Sequence, residues 1–195
     1  MIEPRWSYAA SGASGAKTQL SMNTRILENR RRWKAAQGSH GIAHAHIATL
    51  RDIVTLALRR GVPIIDSHTS LGHTSNSGSR RRTIEEMHWI ARTGGVVCTW
   101  PVQVCLPDGS TCPRNSIEDW AGENLTIARE IGVEHIGLGT DGGGIGNLAN
   151  LVEGYASILD LPKLGDAMRN AGFTRKDVAA YMGRNFIRVL ARCIG

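Results

Sequence analysis

The chain has 195 residues, a formal net charge of +6 and 42% hydrophobic residues. That is enough for one domain with a sizeable core, but short of the about 250 residues that a complete eight-stranded β/α barrel takes. The basicity is one-sided: residues 1–60 carry ten Lys/Arg against three Asp/Glu, and residues 61–195 carry thirteen against fourteen. No aromatic platform, zinc finger or helix-turn-helix pattern accompanies the run Arg30-Arg31-Arg32, so it reads as a solvated face and no nucleic-acid partner is expected. No apolar run approaches the ~20 residues of a membrane span, and no basic start leads into an apolar stretch as in a signal peptide.

The four cysteines, Cys98, Cys105, Cys112 and Cys193, form no CxxC pair. They are expected as free thiols of a cytoplasmic protein; Cys105 and Cys112, in one loop, could pair if the protein were exported.

Residues 1–41 form a weakly specified basic segment, without an apolar period that would define a buried face. From Ile42 the texture changes to alternating strands and helices, which sets 42–195 apart as the folded part. The spacing of Leu50, Ile53, Val54, Ala57 and Leu58 predicts a helix from Ile47 to Arg60, with Gly61 as its stop. Val62 to Asp66 reads as a short buried strand, and Ser67 to Arg82 as a polar loop. Thr83 with Glu86 makes a capping box for a helix from Ile84 to Arg92. Val96 to Trp100 is the next strand, and Pro101 to Asn115 a second long loop. Ser116 then caps a helix that runs to about Ile131 and stops at Gly132. His135 to Thr140 is a third strand, ending at Asp141 before Gly142-Gly143-Gly144. The remainder, from Leu148 to Cys193, reads as helices, one of them started by Thr174 and Asp177.

This alternation predicts an α/β fold with a parallel sheet, in which chemistry sits on the loops after strand C-termini. Three polar groups stand at such places: His46 after the apolar stub at Ile42, His68 after Val62–Asp66, and Asp141 after His135–Thr140. Imidazoles are good zinc ligands, and a carboxylate beside an activated water can take its proton. Each signal alone is weak. A lone loop histidine is commonly a surface residue, and an aspartate before three glycines is equally a turn residue.

Four stretches, VPIIDSHTS, RRRTIEEMHWIARTGGVV, GVEHIGLGTDGGG and GFTRKDVAAYMGRNFIRVL, resemble in this order the C-terminal half of the membrane (renal-type) dipeptidase family, peptidase family M19 of the amidohydrolase superfamily. The resemblance covers about 150 residues. It implies a partial (β/α) TIM-type barrel of the metal-dependent hydrolase superfamily, zinc as cofactor and a dipeptide as substrate. By the same resemblance His46 and His68 match two late metal-ligand histidines. His44 competes with His46, because His44-Ala45-His46 departs from the family's approach to that histidine. Arg80 or Arg81 matches the arginine that holds the substrate carboxylate, and Asp141 the residue that manages the proton of the transition state.

The family's first-strand His-x-Asp pair and its bridging Glu have no counterpart in residues 1–41, which hold only His40, Glu3 and Glu28. A two-metal bridge is therefore not expected within this sequence, and weak hydrolysis follows. Two other readings remain open at this stage. One is a non-catalytic barrel remnant that binds a partner or a second copy through exposed sheet edges. The other is a different metal hydrolase, which would use His44 and His46 as a first-strand pair.

Overall fold

The computed structural model describes residues 40–72, 81–105, 112–141 and 150–194, all within the unit Gly38–Gly195. The basic N-terminal segment up to residue 39, Arg80 and the Gly142–Gly144 turn lie outside the described residues.

Helix α1 (Ile47–Arg60) buries Thr49, Leu50, Val54 and Ala57 along one face. It ends at Gly61, whose left-handed φ of 63° lets its N–H turn back to the carbonyls of Ala57 and Leu58, a geometry that costs an L side chain strain. Helix α2 (Ile84–Arg92) starts with the complete capping box of Thr83 and Glu86, and α3 (Ile117–Ile131) with the corresponding box of Ser116 and Asp119. After an irregular stretch, the 3-10 turn Ile158–Asp160 leads into α4 (Leu161–Ala171). Then follow α5 (Arg175–Ala179), started by Thr174 and Asp177, a π-helical turn over Ala180–Arg184, and α6 (Asn185–Ile194).

The strands are β1 (His40–Gly41), β2 (Ile64–Leu71), β3 (Arg81–Arg82), β4 (Val96–Thr99) and β5 (Ile136–Leu138). They form a parallel sheet in the order β1-β2-β4-β5, with β3 pairing on the far end of β2. Strand β2 is longer than its apolar run predicts. Thr69 and Ser70 are buried, and the ladder with β4 shifts register between Asp66 and Thr69. Such an irregularity re-aims side chains, and here His68 lies inside it.

The two faces of the sheet have different covers. Ile64, Val97 and Ile136 pack with α1, α2, α3 and α4 in the main core, while Ile65, Val96 and Cys98 pack under Val189 and Cys193 of α6. Helix α6 is held along the N-terminal ends of the strands. Arg188 donates to the carbonyls of Gly94 (3.0 Å) and Glu134 (2.7 Å), and Arg192 to that of Gly61 (3.3 Å). Asn185 adds bonds from its amide to Val133 O and Ile136 O. One end of the sheet is thereby closed, and the strand C-termini remain as the place for a site.

The expectation of four free thiols is corrected. Cys105 and Cys112 are joined by a disulfide, because the antiparallel bridge between Val104 and Arg114 brings the two ends of their loop together. Cys98 and Cys193 are free and buried. Burial, helped by the nearby Asp66 carboxyl, pushes the Cys98 thiol up to about 12, so it carries almost no thiolate at neutral pH. A thiol titration of the unreduced chain at pH 8 should find almost none in the native state, the two buried thiols after denaturation, and all four cysteines once denatured and reduced. Four reactive thiols without reductant would remove the disulfide.

Candidate active site

The C-terminal ends of β1, β2 and β5 converge on one cluster. Beyond β1 the chain turns back on itself, with Ala45 N–H donating to Ile42 O at 2.9 Å. His44 occupies the third position of that turn with φ 65°, the left-handed conformation that a type II turn needs there and that histidine tolerates better than most residues. Its Nε2 meets Nε2 of His68 at 2.8 Å. On its other side the His68 ring is bonded through Nδ1 to Ser67 Oγ at 3.0 Å.

Asp141, three residues beyond the end of β5, is also left-handed (φ 48°), and its Oδ2 lies 3.7 Å from His68 Nε2. Gly139 makes this approach possible, since a Cβ there would sit 2.0 Å from Ser67 O. Two non-glycine residues in a costly backbone region beside one histidine are what functional sites tend to show.

His46 is placed differently from the expectation. It is the N-cap of α1, and its Nδ1 accepts the N–H of Ala48 at 3.2 Å. The imidazole brought against His68 is that of His44, because the turn at Ile42–Ala45 inserts itself between strand and helix.

The loop arginines divide. Arg81 is half-buried in β3 and donates to Cys105 O at 2.9 Å. Arg80 lies outside the described residues. Arg82, read as the last residue of the polar loop, is 3% exposed. Its Nε donates to Asp66 at 2.8 Å and its two terminal nitrogens to Ala45 O (2.9 Å) and Ile42 O (2.8 Å). Arg82 therefore clamps both ends of the turn that carries His44.

Behind His68 stands a second buried group that the sequence reading missed. Trp100 packs on the His68 ring with centroids 5.2 Å apart, and its indole N–H donates to Ser70 Oγ at 2.8 Å. Arg114, 1% exposed, donates to the same Ser70 oxygen at 2.7 Å, to Val102 O and to Glu123 Oε1 at 2.9 Å. Burial pushes the Glu123 carboxyl upward, and the Arg114 guanidinium opposes this.

The donor chemistry suits zinc in part. Two ring nitrogens 2.8 Å apart need to separate only slightly to reach the about 3.3 Å expected of two tetrahedral ligands at 2.0–2.1 Å from one ion. Among the described residues, however, no group of three or more His, Cys, Asp or Glu side chains is disposed to hold a metal ion. His44 and His68 would thus supply two positions and leave the others to water or to groups outside the described residues.

Comparison with known proteins identifies the family and the fold. The sequence pattern of the membrane dipeptidase family (peptidase family M19) matches residues 41–193. Dipeptidase ataJ of Aspergillus terreus is 26% identical over 194 residues, which is 95% of this chain and 44% of that protein. A dipeptidase of family M19 has a similar fold, with a TM-score of 0.65 at 22% identity over 80% of this chain and 44% of the other. A Rhodobacter sphaeroides metallopeptidase, solved with a phosphinate mimic of the dipeptide L-Ala-D-Ala, also scores 0.65, at 21% identity over 78% of this chain and 42% of that one. The chain spans less than half the length of each of these three relatives, and its fold is part of their TIM-type barrel.

Proposed function

The chain belongs to the membrane dipeptidase family, peptidase family M19, and from that premise we propose that it acts on dipeptides at the His44–His68–Asp141 cluster with zinc as cofactor. The observation that carries this reading is the approach of the two imidazoles, Nε2 to Nε2 at 2.8 Å, beside a carboxylate at the C-terminal end of the sheet. When bound, zinc supplies Lewis acidity to the scissile carbonyl and makes a water acidic enough to attack at neutral pH.

The protein's own groups do the rest. His44 and His68, whose Nε2 atoms meet, would hold the ion. Asp141, about half exposed, takes the proton from the attacking water and returns it to the leaving amine. Trp100 walls one side of the His68 ring and keeps bulk water from it. Arg81, which donates to Cys105 O, is the proposed clamp for the substrate's free carboxylate, because a guanidinium fork matches a carboxylate; Arg80 is the alternative clamp.

A second reading, a non-catalytic relative that keeps the fold, is favoured by one observation, the absence of a three-ligand group among the described residues. Both readings allow a homo-oligomer. Among the described residues no helix is long and apolar enough to cross a membrane.

The test is a zinc-supplemented assay of the full chain on a panel of dipeptides, with metal content measured alongside. Slow hydrolysis is expected, reduced about 100-fold or more in Asp141→Asn, as removal of a proton-transfer group does. Zinc well below one per chain together with no turnover on any dipeptide would decide for the non-catalytic reading.

A further inference from the structure

We propose that Arg114 is a positioning residue for the His44–His68 pair, acting through Ser70 and Trp100. The proposal rests on reading that pair as the metal-binding centre.

A charge as deeply buried as Arg114 is costly, and a buried ion pair is weak evidence for stability alone. The partners of Arg114 suggest what else it does. Glu123, on α3, accepts from Arg114 and also from the backbone N–H of Leu71 at the end of β2 (3.2 Å). The same carboxylate oxygen therefore ties the guanidinium to the strand that carries His68.

The other end of the fork reaches Ser70 Oγ, and that oxygen also accepts the indole N–H of Trp100. A hydroxyl has two lone pairs, and here Arg114 and Trp100 occupy them together. The indole is buried and anchored at its N–H by Ser70. Its face then sets the tilt of the His68 ring, 47° between planes, with Nε2 directed at His44 and Asp141.

The arginine also joins two backbone segments. It donates to Val102 O just after β4, and its own backbone pairs with Val104 on the near side of the Cys105–Cys112 disulfide. The loop after β4 is thereby held against the end of β2, where Arg81 meets Cys105 O. Outer groups that orient a metal-ligating histidine typically change metal affinity 10–100-fold when removed.

The experiment uses the full chain and three variants, Ser70→Ala, Ser70→Thr and Arg114→Met. Ring-proton resonances of His68, assigned by their loss in His68→Ala, are followed by NMR without metal, and zinc affinity is measured separately. The wild-type resonances should be displaced from those of an exposed histidine by the Trp100 ring current. Ser70→Ala should return them at least halfway and weaken zinc binding about tenfold, while Ser70→Thr, which keeps the hydroxyl, restores both. Arg114→Met should act in the same direction if it folds. If Ser70→Ala folds and leaves the His68 resonances in place, Arg114 and Ser70 serve structure alone and the proposal is overturned. If wild-type chain binds no zinc, the metal reading fails, and the resonances still decide whether the network orients His68.

Discussion

Replacing Arg82 with methionine is expected to lower the stability of the chain by about 3–5 kcal/mol at pH 7, the usual cost of breaking a buried ion pair from one side. Asp66 is fully buried, and its Oδ1 has no hydrogen-bond partner among the described residues. Burial pushes its carboxyl upward, and the Arg82 guanidinium is the largest influence holding it down. Methionine fills much of the same volume but leaves the carboxylate uncompensated, and it removes the guanidinium donors from the carbonyls of Ala45 and Ile42, the latter keeping only the N–H of Ala45.

The sign of the pH dependence follows. Without Arg82 the folded-state pKa of Asp66 rises further above its unfolded value. The neutral form is then favoured by folding, and its contribution is fully present below the unfolded pKa and lost as pH rises through the folded one. The gap between wild type and variant should thus be widest near neutral pH and narrow toward pH 4. Urea denaturation of both proteins at pH 7 and pH 4.5 measures it. A loss of less than about 1 kcal/mol at pH 7 would place the pair in the class of exposed ion pairs and contradict its burial.

The contrast between Arg82 and its neighbours shows what sequence reasoning reaches. Helix starts were legible because their signals are local. Thr83 with Glu86, Ser116 with Asp119, and Thr174 with Asp177 each satisfy a cap within three residues. The stop at Gly61 is equally local.

Strand ends were not legible in the same way. Thr69 and Ser70 look like loop residues, yet they continue β2 because their partners, Thr99 across the ladder and Arg114 and Trp100 around the Ser70 hydroxyl, are 30 or more residues away. Val62 and Pro63, read into that strand, precede it. Residues 150–157, read as helical, instead form bridges to Val102 and Ser116 before the helices begin. A signal for Arg82 did exist. An aspartate inside the apolar run Ile64-Ile65-Asp66 has to be paired if that run is a buried strand, and a run of arginines shortly downstream was the natural source. Nothing comparable pointed to Arg114, whose partners only the folded chain assembles.

The choice between His44 and His46 is the sharpest case of this kind, and it carries the second large effect. His44→Ala is expected to weaken zinc binding by more than the 10–100-fold that loss of an outer partner costs, because it removes one of two converging nitrogens. His46→Ala is expected to leave zinc affinity within a fewfold of wild type and to cost about 1 kcal/mol of stability, the typical loss of an N-cap. Both residues follow β1 in the string His44-Ala45-His46, and a residue type alone does not separate them. The turn does. With φ at 65° His44 is carried over the end of the sheet toward His68, and the two carbonyls bounding that turn are held by Arg82. One step later the chain has entered α1, where the His46 ring has turned back to bond the N–H of Ala48. Equilibrium dialysis with zinc, and urea denaturation of both single variants and the wild type, separate the two roles. If His46→Ala lost zinc and His44→Ala kept it, the contact with His68 would be incidental and His46 would be restored as the ligand.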